Sequence, residues 1–224
     1  MTPALFEPPT DPRPDDTPWP AMNWPPPSDV ALIGDTVLVR PAVPALDGAG
    51  LFAALDDEQL WTHVRGRPAD GAEWSELLAA RAGAGWLTWV VQARVPIGRC
   101  PAGSLVGTSS YLDVAVDDAR IEIGATTYVR EAWASAVNPE TKLLLLGYAF
   151  DDLGVGRVQL KTDVRNHRSA RAISRLGAHY EGALRRYQRR SDDTVRDTLL
   201  FSILAEEWPD VRAGLRARLA MTAS

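Results

Sequence analysis

Asn138-Pro139 and Asn166 stand where two patterned stretches of the chain begin. An asparagine there can accept hydrogen bonds from the free N–H groups of a first helical turn, and proline suits that turn because it has no N–H to satisfy. A helix start also carries a partial positive charge, which makes it a seat for an anion. Cations cluster further along. Residues 157 to 190 hold ten Lys or Arg, among them Arg168 and Arg171, against only Asp163 and Glu181. Most of these belong on a solvated helix face and a hairpin, and a few are expected to meet an anionic ligand. Other candidates carry less. Cys100 with His63, His167 or His179 could form a thiol nucleophile and its base, but no local signature supports that pairing. Gly154-Val155-Gly156 follows a helix and precedes a strand, the reverse of a dinucleotide fingerprint, and reads as a helix stop.

The elements that must position these residues follow from composition and periodicity. The 224 residues are 46% apolar and 24% charged, enough for one sizeable core. A net charge of −5 argues against a nucleic-acid partner, and no apolar run approaches the roughly 20 residues a membrane helix needs. The N-terminus has prolines and acids where a secretion signal has basic and then apolar residues, so a cytoplasmic location is expected. A single cysteine permits neither an internal disulfide nor a cysteine metal cluster, and no metal is expected. Residues 1–28 contain ten of the 17 prolines and read as an extended arm, dispensable for folding, before a domain over 29–205 and a closing helix and tail over 206–224.

Within the domain, Val37 to Val39 is a short strand, and Pro41 to Asp47 reads as a turn region leading to Leu51–Leu55. Helical spacing resumes at Trp74, Leu77, Leu78 and Arg81, so two helices are expected after the first strand. Trp86–Ala93, Ser104–Val114 and Ile121–Val129 alternate as strands. The helix after Asn138 is apolar nearly all round from Leu143 to Phe150 and should be buried. Arg157–Asp163 is a strand, Arg168–Leu176 a helix, and Ala183–Arg190 with Val195–Leu204 a strand pair. In the last helix, Trp208, Val211, Leu215 and Leu219 share one stripe, an apolar face that a homodimer could use. The order gives an α/β (α+β) fold with a mixed, mostly antiparallel sheet flanked by helices.

Four stretches in this order, EIGATTYV (122–129), VNPETKLLLLGYAF (137–150), RVQLKTDVRNHRSARAISRLGA (157–178) and EGALRR (181–186), resemble the GNAT superfamily of N-acetyltransferases, and its RimJ/RimL type in particular. The close resemblance spans about residues 104–204, with a looser one back to Thr36. It implies acetyl-CoA as cosubstrate and direct transfer to an amine. The acceptor is expected to be a protein or peptide N-terminus, whose amine with a pKa near 8 is partly neutral at pH 7. A small-molecule amine is the second reading, and a catalytically silent CoA-binding scaffold the third.

By resemblance, Trp133, Ala134, Ser135, Ala136, Val137 and Asn138 form the pyrophosphate turn, with alanines at two positions where the family pattern is glycine-like. Alanine enters positive φ less cheaply than glycine, and Glu140 in the first turn is expected to compete with phosphate for the same field. Asn166 would contact the pantetheine arm, and Arg168 or Arg171 a phosphate. Thr127, Tyr128 and Val129 would lie where the strand splays and offers a backbone N–H to the thioester carbonyl. Glu122, between Ile121 and Ile123 on that strand, is the first candidate for general base and Asp163 the second. A water relay without a dedicated residue is the alternative.

Overall fold

The computed structural model describes residues 7, 8, 10, 11 and 18–222. Its elements are β1 (Leu32–Ile33), β2 (Val37–Pro41), α1 (Pro44–Leu55), α2 (Glu58–Trp61), α3 (Gly71–Gly83), β3 (Leu87–Ala93), β4 (Leu105–Ala115) and β5 (Arg120–Tyr128). There follow α4 (Val137–Gly147), which runs into a wide π turn over Tyr148–Asp152, then β6 (Arg157–Asp163), α5 (His167–Ser174), β7 (His179–Arg189), β8 (Val195–Leu204) and α6 (Trp208–Thr222).

The strands form one sheet in the order β1-β2-β3-β4-β5-β6-β8-β7. Every pairing is antiparallel except β5 with β6. That parallel contact is short. It matches Arg120 with Arg157, Ile121 with Val158 and Glu122 with Gln159, and then the strands part. β6 continues in full register with β8, from Arg157 opposite Leu204 to Asp163 opposite Thr198. Two antiparallel half-sheets are therefore hinged at a three-residue seam.

Alternation assigns the two faces. Trp89, Ser109, Tyr111, Ile123 and Val158 lie on one face, where α4 packs: the Tyr111 hydroxyl donates to the Leu145 carbonyl at 2.5 Å, and Trp89 meets Tyr148 edge-on. Leu145 and Leu146 are fully buried there, each contributing roughly 1.5–3 kcal/mol of apolar burial. On the other face stand Leu112, Glu122, Gln159 and Lys161, with α1 and α3 over the neighbouring strands. α1 and α3 nearly touch backbone to backbone, since a Cβ on Gly71 would come within 2.8 Å of the Ala49 Cα.

Three expectations need correction. α1 starts at Pro44, inside the stretch read as a turn region, because Pro44 opens the helix and the Asp47 carboxylate accepts the Val43 N–H at 2.7 Å. A third short helix, α2, lies between α1 and α3, with Asp57 capping it through the Gln59 N–H. The stripe of α6 is not left for a second chain: Trp208, Val211 and Leu215 are buried within this one, and Trp208 stacks on Phe150 and donates to Asp151.

The arm is more than an appendage over its second half. The Asn23 N–H donates to the Leu153 carbonyl at 2.8 Å, and Trp24 packs against Tyr111 with 6.4 Å between ring centroids. Residues 1–6, 9 and 12–17 of the arm expected over 1–28 lie outside the described residues. Among the described residues, no helix is long and apolar enough to cross a membrane.

Candidate active site

Where β5 and β6 part, a cavity of about 710 Å³ opens. One wall is β5 itself, every residue from Glu122 to Tyr128. The other is Leu160, Lys161 and Thr162 of β6, with Asn166, Arg168 and Ser169 at the start of α5. Beyond Glu122 the strand pairs only with β4, so the backbone groups on its other edge turn to the cavity with no strand to receive them. A bulge sharpens this. Register moves from Thr108 opposite Thr127 to Ser110 opposite Gly124, and Ala125 in the extra position has φ 46°, a left-handed conformation alanine seldom adopts.

Glu122 is buried at the seam, and its Oε2 lies 2.9 Å from the Lys161 Nζ. Burial pushes the Glu122 carboxyl up, against the pull of that ammonium. Lys161 is itself held above the ordinary lysine range: burial opposes this, but Glu122 and the Tyr187 hydroxyl outweigh it. Gly124 makes room for the carboxylate, because a Cβ there would stand 2.8 Å from the Glu122 Oε1. Asp163 has another setting. Arg190 holds both of its oxygens, Nε at 2.6 Å and NH2 at 2.8 Å, and the Arg165 N–H donates to it as well. Burial works against ionisation, but these partners hold the Asp163 carboxyl below the usual carboxylate range, and it is not on the cavity wall.

The turn ahead of α4 forms the cavity's other end. Trp133 is extended, Ala134 has φ 58°, and Ala136 precedes the first helical residue. The alanine at the glycine-like position thus adopts the very conformation that makes glycine useful there. Among the described residues, the N–H groups of Ala134, Ala136 and Asn138 donate to no protein acceptor, while Val137 donates to the Ser135 hydroxyl at 3.2 Å. Asn138 is not the cap expected for it but the second residue of the helix. Glu140 does not compete for an anion: it is buried on the far side, where its carboxylate accepts the N–H groups of Asp35, Thr36 and Val37 at 2.7–2.9 Å and clamps the β1–β2 turn.

Asn166 caps α5, accepting the Ser169 N–H at 3.0 Å, and also borders the cavity. The Arg168 guanidinium lies 3.6 Å from the centre of the Trp133 ring, which joins the start of α5 to the turn before α4. Of the expected site residues, Glu122, Thr127, Tyr128, Trp133, Ala134, Asn138, Asn166 and Arg168 share the cavity. Val129, Ser135, Ala136, Val137, Asp163 and Arg171 are not on its wall. Cys100 is likewise not on that wall.

Among the cavity residues that sequence reasoning missed are Lys142, Arg81 and Arg196. The Lys142 side chain, buried, donates to the hydroxyls of Ser109 at 3.1 Å and Thr126 at 3.0 Å beside the bulge, and burial pushes its ammonium down to about 7. Its signal was positional: it falls three and four residues before Leu145 and Leu146, on the buried stripe of α4. Arg81 falls at helical spacing with Trp74, Leu77 and Leu78, which gives no reason for a cation there. Arg196 is the one arginine of β8, and nothing in the local pattern sets it apart from the arginines of β7 before it.

The Acetyltransferase (GNAT) domain family model matches residues 36–179. An N-acetyltransferase called p20 in Bacillus licheniformis is 27% identical over 104 residues, 46% of this chain and 57% of that relative, so the match spans little more than half the relative's length. A GCN5-related N-acetyltransferase from Brucella melitensis is 27% identical with a TM-score of 0.79, over 90% of this chain and 89% of that one. The structure of Mycobacterium smegmatis RimJ in complex with CoA-disulfide, 22% identical with a TM-score of 0.68 over 81% and 88%, shares the fold. A splayed seam, a bulged strand and an open helix start thus coincide with a family model that covers well over half of the chain, which belongs to the GNAT family of acetyltransferases.

Proposed function

We propose that the chain transfers the acetyl group of acetyl-CoA to a primary amine, and that its cleft is of the RimJ/RimL type, with a peptide or protein N-terminus as acceptor. The observation that carries this is the seam: β5 and β6 separate beside a buried carboxylate, and the gap ends at N–H groups that no acceptor among the described residues uses. The residues present fit the cosubstrate. Ala134, Ala136 and Asn138 offer N–H groups for the pyrophosphate, Arg168 offers a cation, and the open edge of β5 offers backbone groups for an extended amide-bearing arm. When bound, acetyl-CoA supplies an activated acetyl thioester that a neutral amine opens directly.

The protein's own part is then positional and electrostatic. Glu122 takes the proton from the amine, its carboxyl raised by burial toward the range where a base is useful at neutral pH, and Lys161 keeps it in place. An N–H at the Ala125 bulge polarises the carbonyl. Asn166 orients the arm while capping α5. We assign the transferase to residues 29–205, with the arm and α6 packed on it, and a cytoplasmic setting on the composition of the chain.

Calorimetric titration with acetyl-CoA tests the reading, coupled to release of free thiol with a panel of peptide N-termini. Binding should stabilise the fold by about 2.7 kcal/mol when ligand is ~100 times its dissociation constant. Arg168→Gln, which removes the cation stacked on Trp133, should weaken binding. No binding of acetyl-CoA or CoA at millimolar concentration would end the proposal.

A further inference from the structure

Two arginines on the cavity wall stand on the face of the sheet away from the open N–H groups before α4. These are Arg81 and Arg196, and neither forms an ion pair among the described residues. Arg81 lies over the Trp86 ring at 5.3 Å, with its NH1 buried and without a hydrogen-bond partner. Arg196 uses its Nε on the Thr198 hydroxyl at 3.0 Å. The carboxylates of this neighbourhood already have cations: Glu122 has Lys161, Asp163 has Arg190, and Asp113 has Arg120. A guanidinium is charged at every working pH, and leaving its donors buried and unpaired is costly. Such a pair is retained where something else supplies the negative charge.

Location says which ligand that is. Arg196 and Thr198 stand on the Glu122 face of the sheet, as the register of β6 and β8 requires, and Arg196 is near enough to Glu122 to act on its carboxyl. Arg81 comes from α3, which covers the same face. The open N–H groups before α4 belong to the opposite face. The two arginines therefore border the space in front of the base, where the amine must enter.

We infer that the acceptor carries an anionic group, a carboxylate or a phosphate, within a few bonds of its amine, and that Arg81 and Arg196 form the subsite for it. This rests on the acetyltransferase reading and narrows it to acidic acceptors, excluding polyamines and basic peptides. The anion completes a guanidinium fork that the protein leaves open, and its binding turns the amine toward Glu122. Two sources share that chemistry, an acidic residue next to a peptide N-terminus and a small amino acid.

Calorimetry on the full chain, with and without saturating CoA, separates them. The probes are matched pairs: an Ala-Asp-Ala-Ala peptide amide against Ala-Asn-Ala-Ala, and free aspartate against asparagine. The anionic member of at least one pair should bind roughly 10- to 100-fold more tightly, less so as salt rises. Arg81→Gln and Arg196→Gln should each bring it toward the neutral member, with Arg196→Lys keeping part of the preference. Equal affinity within both pairs, absence of binding by both anionic members at millimolar concentration, or a preference unchanged in both glutamine variants overturns the inference. Failure of CoA to bind would sink the earlier reading instead, since the pairs are also measured without CoA.

Discussion

At Glu122, what matters chemically is the balance between burial and one ammonium. Burial raises the carboxyl against the pull of Lys161, which makes it a stronger base than an ordinary carboxylate. Glu122→Gln keeps shape and removes the charge, and turnover should fall roughly 10²- to 10⁴-fold with little change in acetyl-CoA affinity. In the proposed role Glu122 works deprotonated, so the wild-type rate should fall on the acid side, with its midpoint above the ordinary carboxylate value, and the variant's loss should shrink toward the amine's own pKa. A pH–rate profile of both proteins checks this. A lowered melting temperature with a pH-independent rate loss would make Glu122 structural. Lys142 gives a separate test. Unfolded, a lysine holds its proton to about pH 10.4, whereas Lys142 in the fold releases it near 7. Between those values the unfolded chain binds more protons, so stability rises with pH and the penalty for a buried charge is fullest below about 7. Lys142→Met should therefore stabilise by roughly 1–4 kcal/mol at low pH and lose that advantage toward pH 10. Denaturant melts across this range would show it, and a gain independent of pH would contradict it.

Two elements frame the cleft, and they were unequally legible. Strand and helix periods announce themselves locally: β6 lies where its alternation predicts, and α5 starts at its asparagine cap. The parting of β5 from β6 has no such local mark, because pairing is decided by residues far apart in the chain, and β5 reads as one continuous strand on either side of Glu122. The bulge was equally hidden. Its extra residue is an alanine, not the glycine that would have flagged positive φ, and the same holds for Ala134 before α4. Glu140 misled for a related reason, since helical spacing gives its place in the first turn but not the β1–β2 turn it clamps, whose Val37 is 103 residues away. Ala134→Gly should be neutral or stabilising by up to about 1 kcal/mol, because left-handed backbone costs alanine more than glycine while the unfolded chain gains freedom. A clear loss in melting temperature would show that the methyl group packs against something the turn needs.

Across the whole molecule, the composition announced a single core and a proline-rich start, and the class of sheet followed from element order. What it could not supply was where the arm lies. Met22 and Trp24 pack on the core and Asn23 bonds to Leu153, so a chain starting at Asp29 should still melt cooperatively, as an arm dispensable for folding requires, but roughly 5–10 °C lower. An unchanged melting temperature would show that these contacts add no stability, and a loss of cooperativity that the arm is part of the core. The strand order itself separates the fold into two antiparallel halves joined at Arg120–Glu122, and the proposed function rests on the gap this leaves. A crystal structure of the full chain grown with CoA tests that most directly. The pyrophosphate should lie against the N–H groups of Ala134, Ala136 and Asn138, with the pantetheine arm between β5 and β6 and its sulfur beside the Ala125 bulge. Density for CoA elsewhere on the surface, or an empty cleft at millimolar CoA, would contradict the account.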